Sequence, residues 1–168
     1  MFRWFAMIVL VGSCASEPPP APKPTGPARA DVTLKDVTMR QYKGADLRVV
    51  ATTPRLELMR GSNDFTATDA GVFLKRSGVT VLSQQVSGNG IAQTATGSNG
   101  VLFLGNDGTV GRTEHATYDR ALATEGAAFT DAGVAIDHPR FELTSNGFYA
   151  DFAEQTVSFE QPVTKTKE

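Results

Sequence analysis

The sequence predicts an all-β domain of the sandwich or jelly-roll kind from residue 31 onward. Three observations carry this. Apolar and polar residues alternate at period two in many short runs, turn-forming clusters separate those runs, and no stretch sustains apolar residues at i, i+3, i+4 and i+7. Alternation marks a strand with one face buried, because successive side chains point to opposite faces. With 168 residues, 40% hydrophobic and 20% charged, the chain has room for one such domain and not for two sizeable cores.

Ahead of that domain, residues 1–13 (MFRWFAMIVLVGS) have the order of a secretory signal: one positive charge at Arg3, an apolar stretch from Trp4 to Val11, then small residues. Val11-Gly12-Ser13-Cys14 resembles a bacterial lipobox, which makes Cys14 the expected lipid anchor. Several acyl chains hold a protein on a bilayer where one does not. Cys14 is the single cysteine, so a disulfide framework and a multi-cysteine zinc site are both excluded. Residues 14–30 hold six of the nine prolines, between Pro18 and Pro27. Proline fixes φ and removes a donor, so this linker is read as an extended tether of roughly 3 Å per residue.

The strands follow in order. Val37 and Met39 alternate with Thr38 and Arg40; Leu47, Val49 and Ala51 come next, then Leu56 and Leu58 around Glu57. Val79 and Val81, Val101 and Phe103, Phe141 and Leu143, and Val157 and Phe159 are further alternating pairs. Lys43-Gly44, Gly61–Asp64, Ser87–Gly90, Gly97–Gly100 and Gly105–Gly108 are read as turns, since glycine and asparagine tolerate positive φ. Thr68-Asp69-Ala70-Gly71-Val72 recurs unchanged as Thr130-Asp131-Ala132-Gly133-Val134, and the offset of 62 continues to Leu74/Ile136, Val79/Phe141 and Val81/Leu143. Each unit is read as strand, four-residue connection, strand. Pro54-Arg55-Leu56-Glu57-Leu58 echoes Pro139-Arg140-Phe141-Glu142-Leu143 at an offset of 85, so no single clean duplication follows. The β domain is placed at 31–163, with 164–168 as a polar tail.

Charge and chemistry-bearing residues narrow the function. The net charge of −2 and the lack of a basic run leave no footprint for nucleic acid. Glu114-His115 and Asp137-His138 place carboxylate and imidazole on adjacent residues, which face opposite sides of a strand and make poor dyads. They are read as solvent-facing. The glycine-rich segments precede no helix that would aim amides at a phosphate. No catalytic residue, metal site or cofactor is expected, and an enzyme is the least favoured class.

Residues 34–104 resemble the LptC family of lipopolysaccharide-export proteins: a first strand ending Met-Arg-Gln-Tyr, a strand reaching Ala-x-x-Pro-Arg-Leu-Glu-Leu, a turn before Phe-Thr-Ala, and a Gly-Val-x-Leu hairpin. Residues 110–136 look like the related OstA/LptA-type repeat, with Ala-x-Tyr-Asp turning into a strand that leads to glycine. The resemblance implies a periplasmic, open antiparallel β-jelly roll of two facing sheets whose apolar interior receives the acyl chains of lipopolysaccharide. It also implies an inner-membrane ABC transporter as donor, and an LptA-like periplasmic bridge protein, joined by strand addition, as acceptor. The family's usual N-terminal transmembrane helix is replaced here by the lipoprotein-type signal.

An open stack with aliphatic inner faces gives acyl chains a slot. The candidate lining residues are Met39, Val49, Leu56, Leu58, Phe65, Leu74, Val81, Ile91, Phe103, Phe141, Leu143, Phe152 and Phe159, with ordinary core packing as the competing account of each. The first strand, Val32 to Gln41, and the last, Gln155 to Val163, are the candidate docking edges; Pro162 and the charged tail offer the opposite reading, an edge blunted against pairing. The chain is expected on the periplasmic side of the cell envelope as a membrane-anchored lipoprotein. The inner membrane fits the transport role, and the outer membrane is the alternative because Ala15, not Asp, follows Cys14. A structural or assembly-scaffold lipoprotein with a closed β-sandwich is the alternative function. Radioactive palmitate is expected to label the wild-type chain and to leave Cys14→Ala unlabelled on a gel autoradiograph.

Overall fold

The computed structural model describes residues 30–167. The signal, Cys14 and nearly all of the linker lie outside the described residues. Thirteen strands follow: β1 (Val32–Lys43), β2 (Asp46–Met59), β3 (Asp64–Leu74), β4 (Val79–Asn89), β5 (Thr94–Leu104), β6 (Val110–Thr113), β7 (Ala116–Asp119), β8 (Ala127–Thr130), β9 (Val134–His138), β10 (Phe141–Ser145), β11 (Gly147–Asp151), β12 (Thr156–Glu160) and β13 (Val163–Thr166). All pairings are antiparallel, and neighbours in space are neighbours in sequence once β6–β7, β8–β9, β10–β11 and β12–β13 are each taken as one interrupted strand.

The result is an up-and-down meander of nine long strands, each bent near its middle. Register fixes the bends. Lys35 pairs with Arg55 and Val37 with Thr53, so Asp36 and Pro54 are skipped. Thr68 pairs with Gln85 and Ala70 with Ser83, leaving out Asp69 and Gln84, and Asn99-Gly100 interrupts β5. The residue at the break is in the left-handed region at Asp36 (φ 52°), Asp69 (φ 49°), Asn99 (φ 60°), Gly100 (φ 92°) and Gln161 (φ 48°). An extra residue with positive φ is the geometry of a bulge that turns a strand. One half of each strand therefore belongs to a first sheet and the other half to a second, giving two facing layers joined along a spine of bends. β1 pairs only with β2, β12 only with β11 and β13 only with β10, so the array does not close and has two free edges.

Five polar side chains among the described residues are buried, Thr53, Ser83, Thr113, Thr130 and Ser145, and every one sits at a bend. Thr53, Ser83, Thr113 and Ser145 lie on alternate bent strands at intervals of 30, 30 and 32 residues. The pair of strands between successive members is the structural repeat. Their hydroxyls replace the ladder bonds lost at the break: Thr53 Oγ1 donates toward Thr68 O (2.6 Å) and Arg55 O (2.8 Å), and Ser83 Oγ toward Gln85 O (2.8 Å) and Ser98 O (3.0 Å). Ser145 Oγ donates to Gly147 O at 3.0 Å. Thr113 Oγ1 is buried without a partner. Polar pairs stitch adjacent strands at the same level, Asn99 to Gln85 (3.1 Å), His115 to Asp131 (2.7 Å) and Asn146 to Gln161 (2.9 Å). The hydrogen bond from His115 holds the Asp131 carboxyl below its ordinary range.

Several expectations need correction here. Gly97–Gly100 is not a hairpin turn but the bend of β5, and Ser87–Asn89 is strand, with the turn moved to 90–93. Within that strand Gly88 has no room for a side chain, because a Cβ there would lie 2.1 Å from Thr94 O and 2.7 Å from the Phe65 ring. The five-residue repeat straddles two bends two repeats apart; its connection is four residues (75–78) the first time and two (Pro139-Arg140) the second. The Pro-Arg echo is not architectural, since Pro54 lies at a bend and Pro139 in a hairpin turn. β13 carries pairing through Thr166, into the segment read as tail.

The bend hydroxyls separate into two kinds. Ser83→Ala is expected to lower stability by about 1 kcal/mol, the usual net worth of a buried hydrogen bond. Thr113→Val removes an unpartnered hydroxyl and is expected to be neutral or stabilising. Urea midpoints at unchanged m-value measure both.

Candidate functional site: an uncharged slot between the sheets

Cross-strand register lines up the inward side chains in rows. In the second sheet one row runs Met39, Ala51, Val72, Val81, Phe103, Gly111, Ile136, Leu143, Thr164. In the first sheet one row runs Leu34, Leu56, Ala67, Val86, Gly97, Ala116 and is continued by Thr130, Phe148 and Phe159. Nearer the rim lies Val32, Leu58, Phe65, Gly88, Ala95, Tyr118, Ala128, Ala150, Val157. None of these rows contains a charged residue. Alternation built them, because each strand half places every second residue on the same face.

The rows face each other. Phe103 of β5 and Phe148 of β11 meet edge to face, centroids 5.6 Å apart at 86°, and they belong to opposite sheets. A Cβ at Gly111 would meet Phe103 in ordinary contact at 3.4 Å. Among the described residues no large side chain is fully buried; the buried apolar set is Leu56, Ala67, Val101, Ala127 and Val134. At the free edges the inner faces reach solvent, with Leu34 41%, Met39 51% and Val157 55% exposed. The hollows along the bends, one lined by Asp36, Thr52 and Pro54 and the other by Leu82, Gly100 and Arg112, do not reach Phe103 or Phe148. At the aromatic pair the two inner faces are in direct contact.

Of the candidate lining residues, Met39, Val81, Phe103 and Leu143 share one row, and Val49 and Leu74 pair in the next. Leu56, Leu58, Phe65 and Phe159 fall on the first sheet's inner rows, and half-buried Phe152 packs on Tyr118 with centroids 5.9 Å apart. Phe141 is half-buried and stacked on His138 (4.6 Å, 23°), so His138 is not the solvent-facing residue expected. Ile91 stands apart: it sits at the tip of the β4–β5 hairpin, 76% exposed, with its amide bonded to Asn89 Oδ1 at 3.0 Å. The sequence reading missed Phe148, Val72, Ile136 and Tyr118. Phe148 and Ala150 alternate as the other pairs do, and Gly147 beside them masked the signal.

At the rim opposite the spine, side chains from the two sheets meet. Lys43 Nζ, where β1 ends, donates to Glu125 Oε1 in the β7–β8 turn at 3.1 Å, and Arg76 Nη1 in the β3–β4 turn lies 4.0 Å from Glu125 Oε2. Gln155, in the β11–β12 turn, accepts from Arg76 when its amide oxygen faces the guanidinium. The hydrogen bond from Lys43, with the charges of Lys43, Arg76 and Arg48, holds the Glu125 carboxyl below its ordinary range. Tyr118 lies beneath, its hydroxyl 3.4 Å from Glu125 O and pushed up in pKa by burial.

No protein-family model matches the chain, and no curated protein matches it. Among solved structures, LptH of Pseudomonas aeruginosa, described as the LptA-homologous periplasmic component of the conserved lipopolysaccharide transport device, is similar in fold: TM-score 0.50 at 10% identity, covering 71% of this chain and 94% of that one. The fold is therefore an open β-jelly roll of the LptA kind. Within the slot, Phe103→Leu and Phe148→Leu are expected to couple by about 0.5–1.5 kcal/mol in a double-mutant cycle of unfolding free energies, as an edge-to-face pair does.

Proposed function

We propose that this domain is a lipid conduit in lipopolysaccharide export, taking lipopolysaccharide from an inner-membrane ABC transporter and passing it to an LptA-like bridge protein. The observation that carries the reading is the set of uncharged inner rows running from one free edge to the other and reaching solvent at Leu34, Met39 and Val157. An acyl chain laid along those rows meets no fixed charge and no side chain that holds it by directed bonds. The LptA-type fold supports the same reading. In it, Cys14 anchors the domain to the membrane, the linker sets its distance from the lipid surface, and the domain works on the periplasmic side. β1 is the docking edge toward the transporter, and β12 with β13 the edge toward the bridge. The alternative of a closed, filled scaffold sandwich does not match an array with two free edges and no fully buried large side chain among the described residues.

A photo-crosslinking residue at Phe103 or Leu143 is expected to capture lipopolysaccharide in growing cells, and one at Thr144, on the opposite face of β10, is not. Adducts absent from both inner positions, or equal at all three, overturn the reading.

A further inference from the structure

We propose that Lys43, Arg76 and Glu125 form an ionic latch across the rim of the roll, and that the anionic headgroup of an entering amphiphile opens it by taking Glu125's place on the two cations. The inference rests on the lipid-conduit reading and names what that reading leaves open: where a chain enters, and which feature of the lipid is recognised there.

Placement is the first argument. Away from the spine, the polar side-chain contacts that join one sheet to the other among the described residues all belong to this group: Lys43 to Glu125, Arg76 to Glu125, and Arg76 to Gln155. Lys43 ends β1 and Arg76 lies in the β3–β4 turn, both in the second sheet, and Glu125 and Gln155 lie in turns of the first. Separating these residues opens the rim.

Charge is the second. Lys43 and Arg76 share one carboxylate, Glu125, within reach of the charge of Arg48, whose own ion-pair partner, Asp46, is 3.8 Å away. Arg48 Nε is buried with no partner. The set is under-supplied with anions. A phosphate monoester brings more charge and three acceptor oxygens, and binds guanidinium in the bidentate manner. The Lys43–Glu125 pair is largely solvent-exposed, the kind of surface pair that contributes little and yields readily.

The floor is the third. Tyr118 lies in the rim row of the first sheet, beneath Glu125, and Phe152 packs on it. Gly126 has φ +87°, and a Cβ there would lie 2.5 Å from the Tyr118 hydroxyl, so the turn holding Glu125 is fitted to that ring. An anionic group on the cations would leave its acyl chains against Tyr118 and Phe152, at the rim-side row of the uncharged inner face. The ligand class is an amphiphile with a phosphate-bearing headgroup.

The test uses the full chain loaded with an uncharged fluorescent naphthylamine probe. Displacement by diphosphorylated lipid A is compared with displacement by its dephosphorylated form. The wild type is expected to prefer the phosphorylated lipid by about tenfold, the worth of one charge-assisted hydrogen bond. Lys43→Gln/Arg76→Gln, changed at exposed positions, should lose that preference while still binding the dephosphorylated lipid. Glu125→Gln, with the latch already open, should take up both forms faster than wild type. Inorganic phosphate alone should leave the probe in place. A wild type that binds both lipids equally, a preference that survives the double variant, or displacement by inorganic phosphate overturns the latch and leaves the conduit standing. A wild type from which neither lipid displaces the probe removes the conduit reading, and the latch with it.

Discussion

Every strand of this protein has to pass from one sheet into the other without leaving its backbone groups unpaired, and that constraint organises the rest. A buried amide or carbonyl without a partner costs on the order of a whole hydrogen bond. The chain meets the constraint with two devices that alternate along it. Strands running one way carry a small hydroxyl at the bend, bonded to carbonyls at Thr53, Ser83 and Ser145 and unpartnered at Thr113, and strands running the other way carry Asp36, Asp69, Asn99 or Gln161 in the left-handed region. At the spine these small polar residues pair with the buried valines Val101 and Val134. The aromatic side chains Phe65, Phe103, Tyr118 and Phe148 stand in the rows beside the spine and toward the rim.

How much of this the sequence carries depends on the range of the interaction. Alternation is local, so the inner rows were legible at Val79/Val81, Val101/Phe103, Phe141/Leu143 and Val157/Phe159. Glycine and asparagine announce positive φ, which a hairpin turn and a mid-strand bend both need, so Gly97–Gly100 read as a turn. The exact repeat Thr-Asp-Ala-Gly-Val marked real equivalence, yet Asp69 adopts positive φ and Asp131 does not, because Thr130 and the longer break at 131–133 absorb that bend. The rim pairing of Lys43 with Glu125 joins residues 82 apart. No local pattern encodes it, and only the topology brings those turns together.

The closed aromatic contact and a lipid-carrying role are energetically compatible. Edge-to-face pairing of Phe103 with Phe148 adds about 0.5–1.5 kcal/mol beyond the area it buries. Each methylene withdrawn from water contributes about 0.8 kcal/mol, so two of them offset the ring pair. A chain arriving from a bilayer gains far less, because it leaves one apolar medium for another. Entry then costs little more than parting the rings, and departure toward another apolar surface is not strongly opposed. On the lipid-conduit reading, a slot lined by valine, leucine, glycine and phenylalanine, with no charge in its rows, would hold lipid against water without holding it against a membrane.

The bends also restrict what the free edges can accept. β1 offers hydrogen-bonding groups in both sheets, but its ladder with β2 skips at Asp36, and the opposite edge breaks at Gln161-Pro162 between β12 and β13. Proline has no amide to donate, so at that level no partner ladder runs straight through. A straight strand laid along either edge satisfies one sheet and leaves the other unpaired. To satisfy both, an added strand must itself turn from one sheet to the other at the level of the spine, with a bulge or an interruption of its own. That requirement is met by the edge strand of a similarly bent roll, whose inner rows then continue those ending at Leu34, Met39 and Val157. The need to bend without losing hydrogen bonds thus acts twice, shaping the slot within one domain and selecting the fold of whatever extends it.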